Sequence, residues 1–595
     1  MNFIAELRRR KVFKVGAAYL VVGWLLIQVS STVAPQLNLP EWAPRLVTFI
    51  ILLGFPIALV LTWILEVGAE GIKLDVAPTG TKRVIAICAV LAAVAIAWYW
   101  HERPAPGGDA SDARSIAVLP FVNMSDDKGN DYFSDGISEE ILNVLARMSD
   151  LHVAARTSSF SFRKQEKEIP TIAHELKVRM VLEGSVRKQG ERVRVTAQLI
   201  DASNGFHVWS QTFDRDLKDI FAIQDEIANA IANELQLKLE TAHPNGAAVA
   251  DTVDMAAYDS YLKGMALWQA RGGKNLHDAI DLFRAALARD PNYAKAWVGL
   301  ALTYAILPEW SGSDALAQTS PLARDAAEHA LALDSTSPEP YAVLGYMAAT
   351  EFRFATARAM FKRALTLAPS YATGYQWSGE TLTDEGDLDA ALTMSRKAAA
   401  LDPKSGIVNS VLTNILVTVG RDDEAVALCD TIVAVESEWC PLVRFEVAMA
   451  RKDYVRARAA IETAAKARGP QALEFFHALM DALDGKGDVP AIAQKLLDLP
   501  DGQSNPDSLT PLAAYDAMFW FMAIGRNDLA IERFTHFVRI QPYVARQLGF
   551  DHHLDALHCE AKFVDLLRSL HVEEPHLAAA CAKTTLRGVT RSGSG

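Results

Sequence analysis

The stretch PEPYAVLGYMAATEFRFATARAMFKRALTLAPS, residues 338–370, decides the fold of the carboxy-terminal half of this chain. Its small and large apolar side chains follow a fixed order: Tyr341, Leu344, Gly345, Ala357, Phe361 and Ala364. The small residues allow two helices to approach closely, and the aromatic residues fill the space between them. Pro369 cannot continue a helix, so it ends the second one. The stretch therefore predicts a hairpin of two helices.

This hairpin recurs along the sequence. Asp334, Ala368, Asp402 and Glu436 occupy equivalent positions 34 residues apart, and 34 residues is the period of the tetratricopeptide repeat. Earlier units are less regular, with a turn lengthened at 308–320, and the units after Glu436 degenerate. We expect about five recognisable repeats plus degenerate ones, enough for an all-α solenoid over residues 255–580.

The concave surface of such a solenoid is lined by the first helix of each pair. Counting along each unit predicts these residues on it: Tyr346, Thr350, Gln376, Glu380, Asp384, Asn414 and Thr418. The surface would be polar and mildly acidic, with one aromatic side chain, and it lacks the paired Lys and Asn of repeats that bind chaperone tails. For each of these residues, a role in binding a protein partner and simple solvation stay equally open.

A small α/β domain with a mixed sheet is predicted over residues 115–240. Three strands form a meander, at 180–187, 193–200 and 206–213, and in the second of them apolar and polar residues alternate strictly. Asn204-Gly205 is a strong turn signal between the last two strands. An apolar stripe from Ile220 to Leu235 predicts the closing helix.

The segments IAVLPFVNMSDDKGNDYFSDGISEEIL (116–142) and VLEGSVRKQGERVRVTAQLIDASNGFHVWSQTFDRD (181–216) resemble the TolB-like amino-terminal domain, which is related to the FlgO type. The resemblance covers about residues 115–240, with the motifs in the family's order. It implies an envelope module without demonstrated chemistry, in an outer, periplasmic location.

A membrane anchor is predicted over residues 1–100. Three apolar runs, at 15–34, 46–65 and 84–100, have the length of membrane-spanning helices. A basic cluster before the first run places the amino terminus in the cytoplasm, and three crossings place the residues after 100 outside it. With the location that the family resemblance implies, the anchor is expected in a bacterial inner membrane and the residues after 100 in the periplasm. Residues 101–114 read as a linker and 581–595 as a flexible tail. If the third run did not cross, the bulk of the chain would be cytoplasmic.

Charge and motifs exclude several functions. The net charge of −13 argues against a nucleic-acid partner. No P-loop, serine-nucleophile elbow or HExxH helix is present, so the sequence predicts no enzyme and no cofactor. Among the five cysteines, Cys429 falls at a core position, which favours a buried free thiol over a pair with Cys440. His552 and His553 are neighbours that would not share one helix face, so surface histidines are expected there and no metal site.

These observations predict a membrane-anchored scaffold that binds proteins through its repeats. The alternative is a signalling protein related to chains that carry a nucleotide cyclase or DNA-binding domain, working through a separate partner because only about 14 residues precede the first predicted span. A third, weaker hypothesis is a hydrolase acting at the acidic loop 125–131.

Overall fold

The protein is described here from a computed structural model. It describes residues 114–235 except 164 and 166, residues 252–466 except 253, 312–315 and 432–438, and parts of residues 15–74, 477–497 and 518–577. The chain divides into two compact units, residues 1–110 and 111–595.

In the first unit, described helical residues from two segments contact each other. The Tyr19 hydroxyl donates a hydrogen bond to the Ile51 carbonyl at 3.0 Å, and the Tyr19 and Phe55 rings are 5.7 Å apart. Strands β1 (Leu65–Gly68) and β2 (Gly71–Leu74) form an antiparallel hairpin. Among the residues that the structure describes, none of the helices has the length and apolarity needed to cross a bilayer.

The predicted spans fall mostly outside the described residues. Only scattered positions of 15–34 and 46–65 are described, and 84–100 lies wholly outside them, as does the predicted tail 581–595. At the end of the second predicted span the chain has already entered a strand, because Leu65 pairs with Leu74.

The second unit begins with a mixed β-sheet. Its described strands are β3 (Ser115–Val118), β4 (Val122–Asn123), β5 (His152–Val153), β6 (Met180–Gln189), β7 (Arg192–Asp201) and β8 (Phe206–Asp216). They follow the order β5-β3-β6-β7-β8 in the sheet, with β4 paired to β6. β3 runs parallel to both β5 and β6, whereas β6, β7 and β8 form the antiparallel meander that the alternating pattern predicts.

Both faces of the sheet are covered by helices. The described helices of this region are α1 (Asp131–Ala146), α2 (Arg156–Phe160), α3 (Ile169–Leu176) and α4 (Ile220–Glu234). Ile116 and Val118 of β3 pack with α1 and α4 on one face, and Ala117 between them packs with α3 on the other. This follows from the alternation of side chains across a strand.

Residues 255–466 form consecutive pairs of helices. The described helices are α5 (Met255–Ala270), α6 (Gly273–Arg289), α7 (Ala294–Ser311), α8 (Leu316–Leu333), α9 (Pro338–Thr350), α10 (Phe354–Leu367), α11 (Ala372–Glu385), α12 (Leu388–Leu401), α13 (Gly406–Thr418), α14 (Asp422–Thr431), α15 (Trp439–Ala450) and α16 (Tyr454–Lys466). First helices begin at residues 338, 372 and 406, a spacing of 34. The helical repeat architecture is therefore confirmed. Shorter described helices follow: α17 (Val489–Leu497), α18 (Asn527–Ile540) and α19 (Ala561–Ser569).

Two glycines, one in each of the first two helix pairs, allow their helices to pack directly against one aromatic ring. A Cβ atom on Gly264 would lie 2.7 Å from the Phe283 ring, and one on Gly299 would lie 2.5 Å from it. Real Cβ atoms do not approach so closely, so the fully buried Phe283 packs directly against two bare helix backbones. Gly345 makes the same, looser approach to Phe361 at 3.1 Å.

The α/β region and the repeats share one hydrophobic core. A single cluster of buried side chains runs from Ile116 in β3 to Trp377 in α11. Gly136 in α1 lies so close to α5 that an added Cβ would be 2.5 Å from Leu262. The two regions, predicted as separate domains at 115–240 and 255–580, are thus packed into one body.

The cysteines differ from the expectation. Cys429 at the end of α14 and Cys440 at the start of α15 form a disulfide, with Cα atoms 5.5 Å apart, so the prediction of a free thiol is wrong. Cys559 is disulfide-bonded as well. The sequence predicts the core position of Cys429 correctly, since both cysteines are buried. It carries no signal that the next repeat brings Cys440 against Cys429.

Candidate protein-interaction groove

The first helices of successive repeats present a stacked aromatic pair beside carboxylates. The Tyr346 ring (α9) stacks on the Trp377 indole (α11), with centroids 5.0 Å apart and an interplanar angle of 20°. The Tyr346 hydroxyl donates a 2.6 Å hydrogen bond to Glu309 Oε1 at the end of α7. Three consecutive repeats thus contribute to one patch.

Glu380 lies next to this patch on α11 and has a strongly perturbed carboxyl. Burial, together with the neighbouring charges of Glu309 and Asp384, raises its pKa to about 8, against a hydrogen bond from Gln376 that lowers it. The Gln376 amide donates to Glu380 Oε1 at 3.4 Å. Burial also raises the pKa of Glu309, although its side chain stays in contact with solvent. Groups that are surrounded by protein and still reached by water are typical of a concave surface.

The other predicted groove residues have more varied positions. Thr350 donates a hydrogen bond to the Met347 carbonyl within its own helix. Asp384 and Asn414 are half-buried, and Thr418 is buried at the end of α13. The structure therefore brings Tyr346, Gln376 and Glu380 together, while a partner role for all seven residues stays a prediction.

Glu309 is absent from the predicted groove because the pattern around Pro308 predicts a long turn. Helix α7 continues through Pro308 to Ser311, and this places Glu309 beside Tyr346. Arg271, at the end of α5, lies with its guanidinium 3.9 Å from the centroid of the Trp268 ring. Burial lowers the Arg271 pKa to about 10. The continued apolar spacing of ALTYAIL before Pro308 was the available signal for a longer helix.

The α/β region is held to the first two repeats by a buried ion pair. Glu140 in α1 is 4% exposed, it pairs with the ammonium of Lys295 at the start of α7, and it accepts a 3.1 Å hydrogen bond from the Tyr261 hydroxyl. The adjacent Glu139 accepts hydrogen bonds from Gln269 at 3.2 Å and from Arg156 at 2.8 Å. Carboxylates of α1 therefore bind donors from both repeats.

A second set of contacts joins the α/β region to the turns before α11 and α13. The Ser158 amide and hydroxyl both donate to Asp402 Oδ1, at 2.9 and 2.5 Å. The Ala155 amide donates to the Leu401 carbonyl at 2.8 Å, and the Val153 amide donates to the Ser370 hydroxyl at 3.1 Å. These bonds join residues more than 200 positions apart in sequence.

Together these features make the patch acidic. The carboxyls of Glu309 and Asp384 lie close enough to Glu380 to raise its pKa, and the Arg271 guanidinium, which acts to lower the pKa of Glu309, is a cation beside them. A lysine or arginine side chain entering the groove would favour the ionised form of Glu380 and would lower its raised pKa.

We expect Glu380→Gln to flatten the pH dependence of stability. The folded-state pKa of Glu380, about 8, is raised above its ordinary 4.5, so its contribution to stability is fully present below about 4.5 and is lost as pH rises through about 8. The thermal unfolding midpoint of the native chain should therefore fall between about pH 6 and about pH 9 by more than that of Glu380→Gln. Glu328→Gln on the exposed side of α8 is the control, and equal slopes in all three chains would contradict the burial of Glu380.

A family model matches the α/β region, and a relative matches part of the chain. The family described as "HilA/YgeH-like transcriptional regulator, second domain" matches residues 111–230. "Putative adenylate cyclase 3" of Rhizobium meliloti (strain 1021) is 37% identical over 230 residues, which are 38% of this chain and 38% of that protein. The alignment thus spans well under half of the relative. The resemblance to the TolB-like domain stays a prediction.

Solved structures similar to the repeats include bacterial repeat proteins. Pseudomonas aeruginosa PilF is 19% identical, with a TM-score of 0.29 over 38% of this chain and 98% of its own. A thermophilic TPR protein of Thermus thermophilus is 23% identical, with a TM-score of 0.26 over 30% of this chain and 90% of its own. At these scores, the repeat assignment depends on the 34-residue helix pairs of this chain alone.

Proposed function

We propose that this chain is a membrane-anchored scaffold of the bacterial envelope that binds a partner protein in its repeat groove and has no catalytic activity of its own. The observation that carries the proposal is the patch of Glu309, Tyr346, Trp377 and Glu380, which three repeats build on their first helices. Solenoids of stacked helix pairs use this surface to bind extended protein segments.

The chemistry of the groove favours a partner segment with a lysine or arginine. A neutral Glu380 carboxyl reduces the negative charge of the empty groove beside Glu309 and Asp384, and it becomes an ion-pair acceptor when a cation enters. Binding would then release a proton, so affinity should rise as pH increases toward 8. The rings of Tyr346 and Trp377 are buried and stacked on each other, and the Tyr346 hydroxyl holds the Glu309 carboxylate in place by its hydrogen bond.

Two observations support the membrane and envelope parts of the proposal. Residues 21–26 are helical, and their large apolar side chains face outward; Trp24 is 63% exposed. Apolar side chains exposed all round a helix are suited to lipid. The Cys429–Cys440 disulfide is typical of an oxidising compartment such as the periplasm.

A signalling protein is the second candidate. It is favoured by the matches of residues 111–230 to a transcriptional-regulator domain and of 230 residues to a protein named as a putative adenylate cyclase. In that case, binding of a partner in the groove would be transmitted through the α/β region to a separate effector protein. The carboxylate contacts of α1 with the first two repeats offer a physical connection between the two regions.

Photo-crosslinking in cells tests the scaffold hypothesis. A photoreactive amino acid at Thr350 or Asn414, both half-buried in the groove, should give a discrete adduct in the membrane fraction, whereas one at Lys362 on the exposed side of α10 should not. Tyr346 is unsuitable because it is buried and bonded to Glu309. In the same assay Glu309→Lys should reduce the adduct, and Glu328→Lys, outside the groove, should leave it unchanged.

The identity of the adduct separates the two candidates. An envelope protein would support the scaffold, and a cytoplasmic cyclase or regulator would support the signalling role. If Lys362 gave the same products as Asn414, the groove would not be the binding surface.

A further inference from the structure

Side chains from two distant parts of the chain meet beside the fifth repeat. Asp422 begins α14, and His552 and His553 begin a 3-10 helix at His552–Leu557. His552 Nε2 is 3.4 Å from Asp422 Oδ1, and His553 Nε2 is 3.7 Å from Asp422 Oδ2. One nitrogen or oxygen atom from each of the three residues lies within 4.8 Å of the other two.

The expectation of divergent surface histidines is wrong. The two imidazole centroids are 4.0 Å apart, and the His552 and His553 side chains are only 18% and 3% exposed. The segment is a short 3-10 turn, capped by Asp551, which accepts the His553 amide at 2.8 Å. Leu554 is fully buried and holds this turn against the array, so both rings face the start of α14.

The separations match those of ligands around a single ion. Two ligand atoms about 2.1 Å from a tetrahedral Zn²⁺ are about 3.4 Å from each other. Each imidazole lies at about this separation from one oxygen of the Asp422 carboxylate, His552 Nε2 at 3.4 Å from Oδ1 and His553 Nε2 at 3.7 Å from Oδ2. Asp422 Oδ1 is buried, and within the described residues it makes no hydrogen bond of good geometry. An ion would satisfy this oxygen.

The surrounding groups are arranged as outer partners of metal-bound histidines. Asp551 Oδ1 is 3.7 Å from Nδ1 of both His552 and His553. Imidazoles that bind metals commonly direct their second nitrogen toward a carboxylate, which fixes the ring orientation. Arg451 also approaches Asp422, at 3.8 Å, but it donates its closer hydrogen bond to Asp423 at 2.8 Å.

We propose that Asp422, His552 and His553 bind a divalent first-row transition-metal ion, with Zn²⁺ the best match. Two imidazole nitrogens and one carboxylate suit Zn²⁺ and leave a fourth position for water. The ion would join the start of α14 to a turn 130 positions later in the sequence. The Cys429–Cys440 disulfide links the other end of α14 to α15. With the ion bound, both ends of α14 would be joined to other parts of the chain.

Metal binding by the full-length chain, purified without a histidine tag and stripped with a chelator, tests the proposal. Titration with Zn²⁺ should show one equivalent bound, and Co²⁺ in its place should give the visible absorption of a low-coordinate nitrogen and oxygen site. His552→Gln and Asp422→Asn should each weaken Zn²⁺ binding by about 100-fold or more, since each removes a direct ligand. His558→Gln is the matched control, because His558 lies in the same segment and is as buried as His553, yet contacts Leu554 and Asp555.

Zn²⁺ should also raise the melting temperature of the native chain and of His558→Gln, but not of Asp422→Asn. Circular dichroism before titration identifies any variant that fails to fold. The Co²⁺ spectrum of the native chain tests the site without any substitution. The proposal is overturned if the native chain retains no Zn²⁺ and shows no Co²⁺ absorption. It is equally overturned if folded Asp422→Asn binds Zn²⁺ as tightly as the native chain, or if His558→Gln loses binding to the same degree as His552→Gln.

Discussion

Phe283→Ala should lower the free energy of unfolding of the repeat array by about 3–5 kcal/mol, the cost typical of removing a fully buried phenylalanine. The ring is completely buried between the backbones of Gly264 and Gly299, which approach it too closely for any other residue type at those two positions. Because the Phe283 ring lies directly against the backbones of these two helices, the cavity left by alanine can close only if a whole helix moves. Urea and thermal unfolding of the full chain, followed by circular dichroism, measure the effect.

Phe206→Ala is the matched control, because it deletes the same atoms from a side chain that is 72% exposed, and we expect a change within about 0.5 kcal/mol. Gly299→Ala adds a sharper test. Alone it should destabilise by about 1–3 kcal/mol through overpacking against Phe283. In the Phe283→Ala background the added methyl would enter the cavity, and the cost should vanish. If the two changes were additive, the predicted contact would not exist.

Lys295→Met should destabilise the second unit by about 3 kcal/mol or more, because it leaves the Glu140 carboxylate buried without its cation. Methionine retains most of the aliphatic stem, so the loss is chiefly electrostatic. Glu140 belongs to α1 and Lys295 to α7, and the change should therefore weaken the contact between the α/β region and the repeats. Hydrogen exchange should show lost protection in α1 and α5, together with a lower unfolding midpoint.

The double variant Glu140→Gln/Lys295→Met shows whether the stability lost in Lys295→Met comes from a buried, unpaired charge or from lost packing. Glutamine is neutral and still accepts the hydrogen bond of the Tyr261 hydroxyl. We expect this pair to recover most of the stability lost in Lys295→Met. An unchanged deficit in the double variant would mean that the lysine stem, and not the ion pair, joins the two regions.

Local patterns predicted the elements of this fold well. The alternation of Val193 and Val195 with Arg192 and Arg194 predicted β7 with the correct inward face. The predicted 34-residue period is the spacing of the first helices in the structure, which begin at residues 338, 372 and 406. The turn predicted at 308–320 is wrong at both ends, because α7 continues through Pro308 to Ser311 and α8 already begins at Leu316.

The candidate groove was predicted only in part. Counting along the repeats placed Tyr346, Gln376 and Glu380 on one surface because helix periodicity determines which face a residue occupies. It did not reveal the hydrogen bond to Glu309 or the stacking on Trp377, since these contacts depend on how far one repeat is rotated against the next. The raised pKa of Glu380 depends on the same arrangement.

The sequence by itself determined the repeat period, the order of strands along the chain and the faces that each helix buries, because these depend on residues a few positions apart. Only the tertiary structure decided which distant groups meet. Ser158 with Asp402, Cys429 with Cys440, and Asp422 with His552 are contacts between elements whose own patterns are satisfied without them. Such pairs have no periodic signal. They arise from the way in which helices of a single continuous core pack on one another.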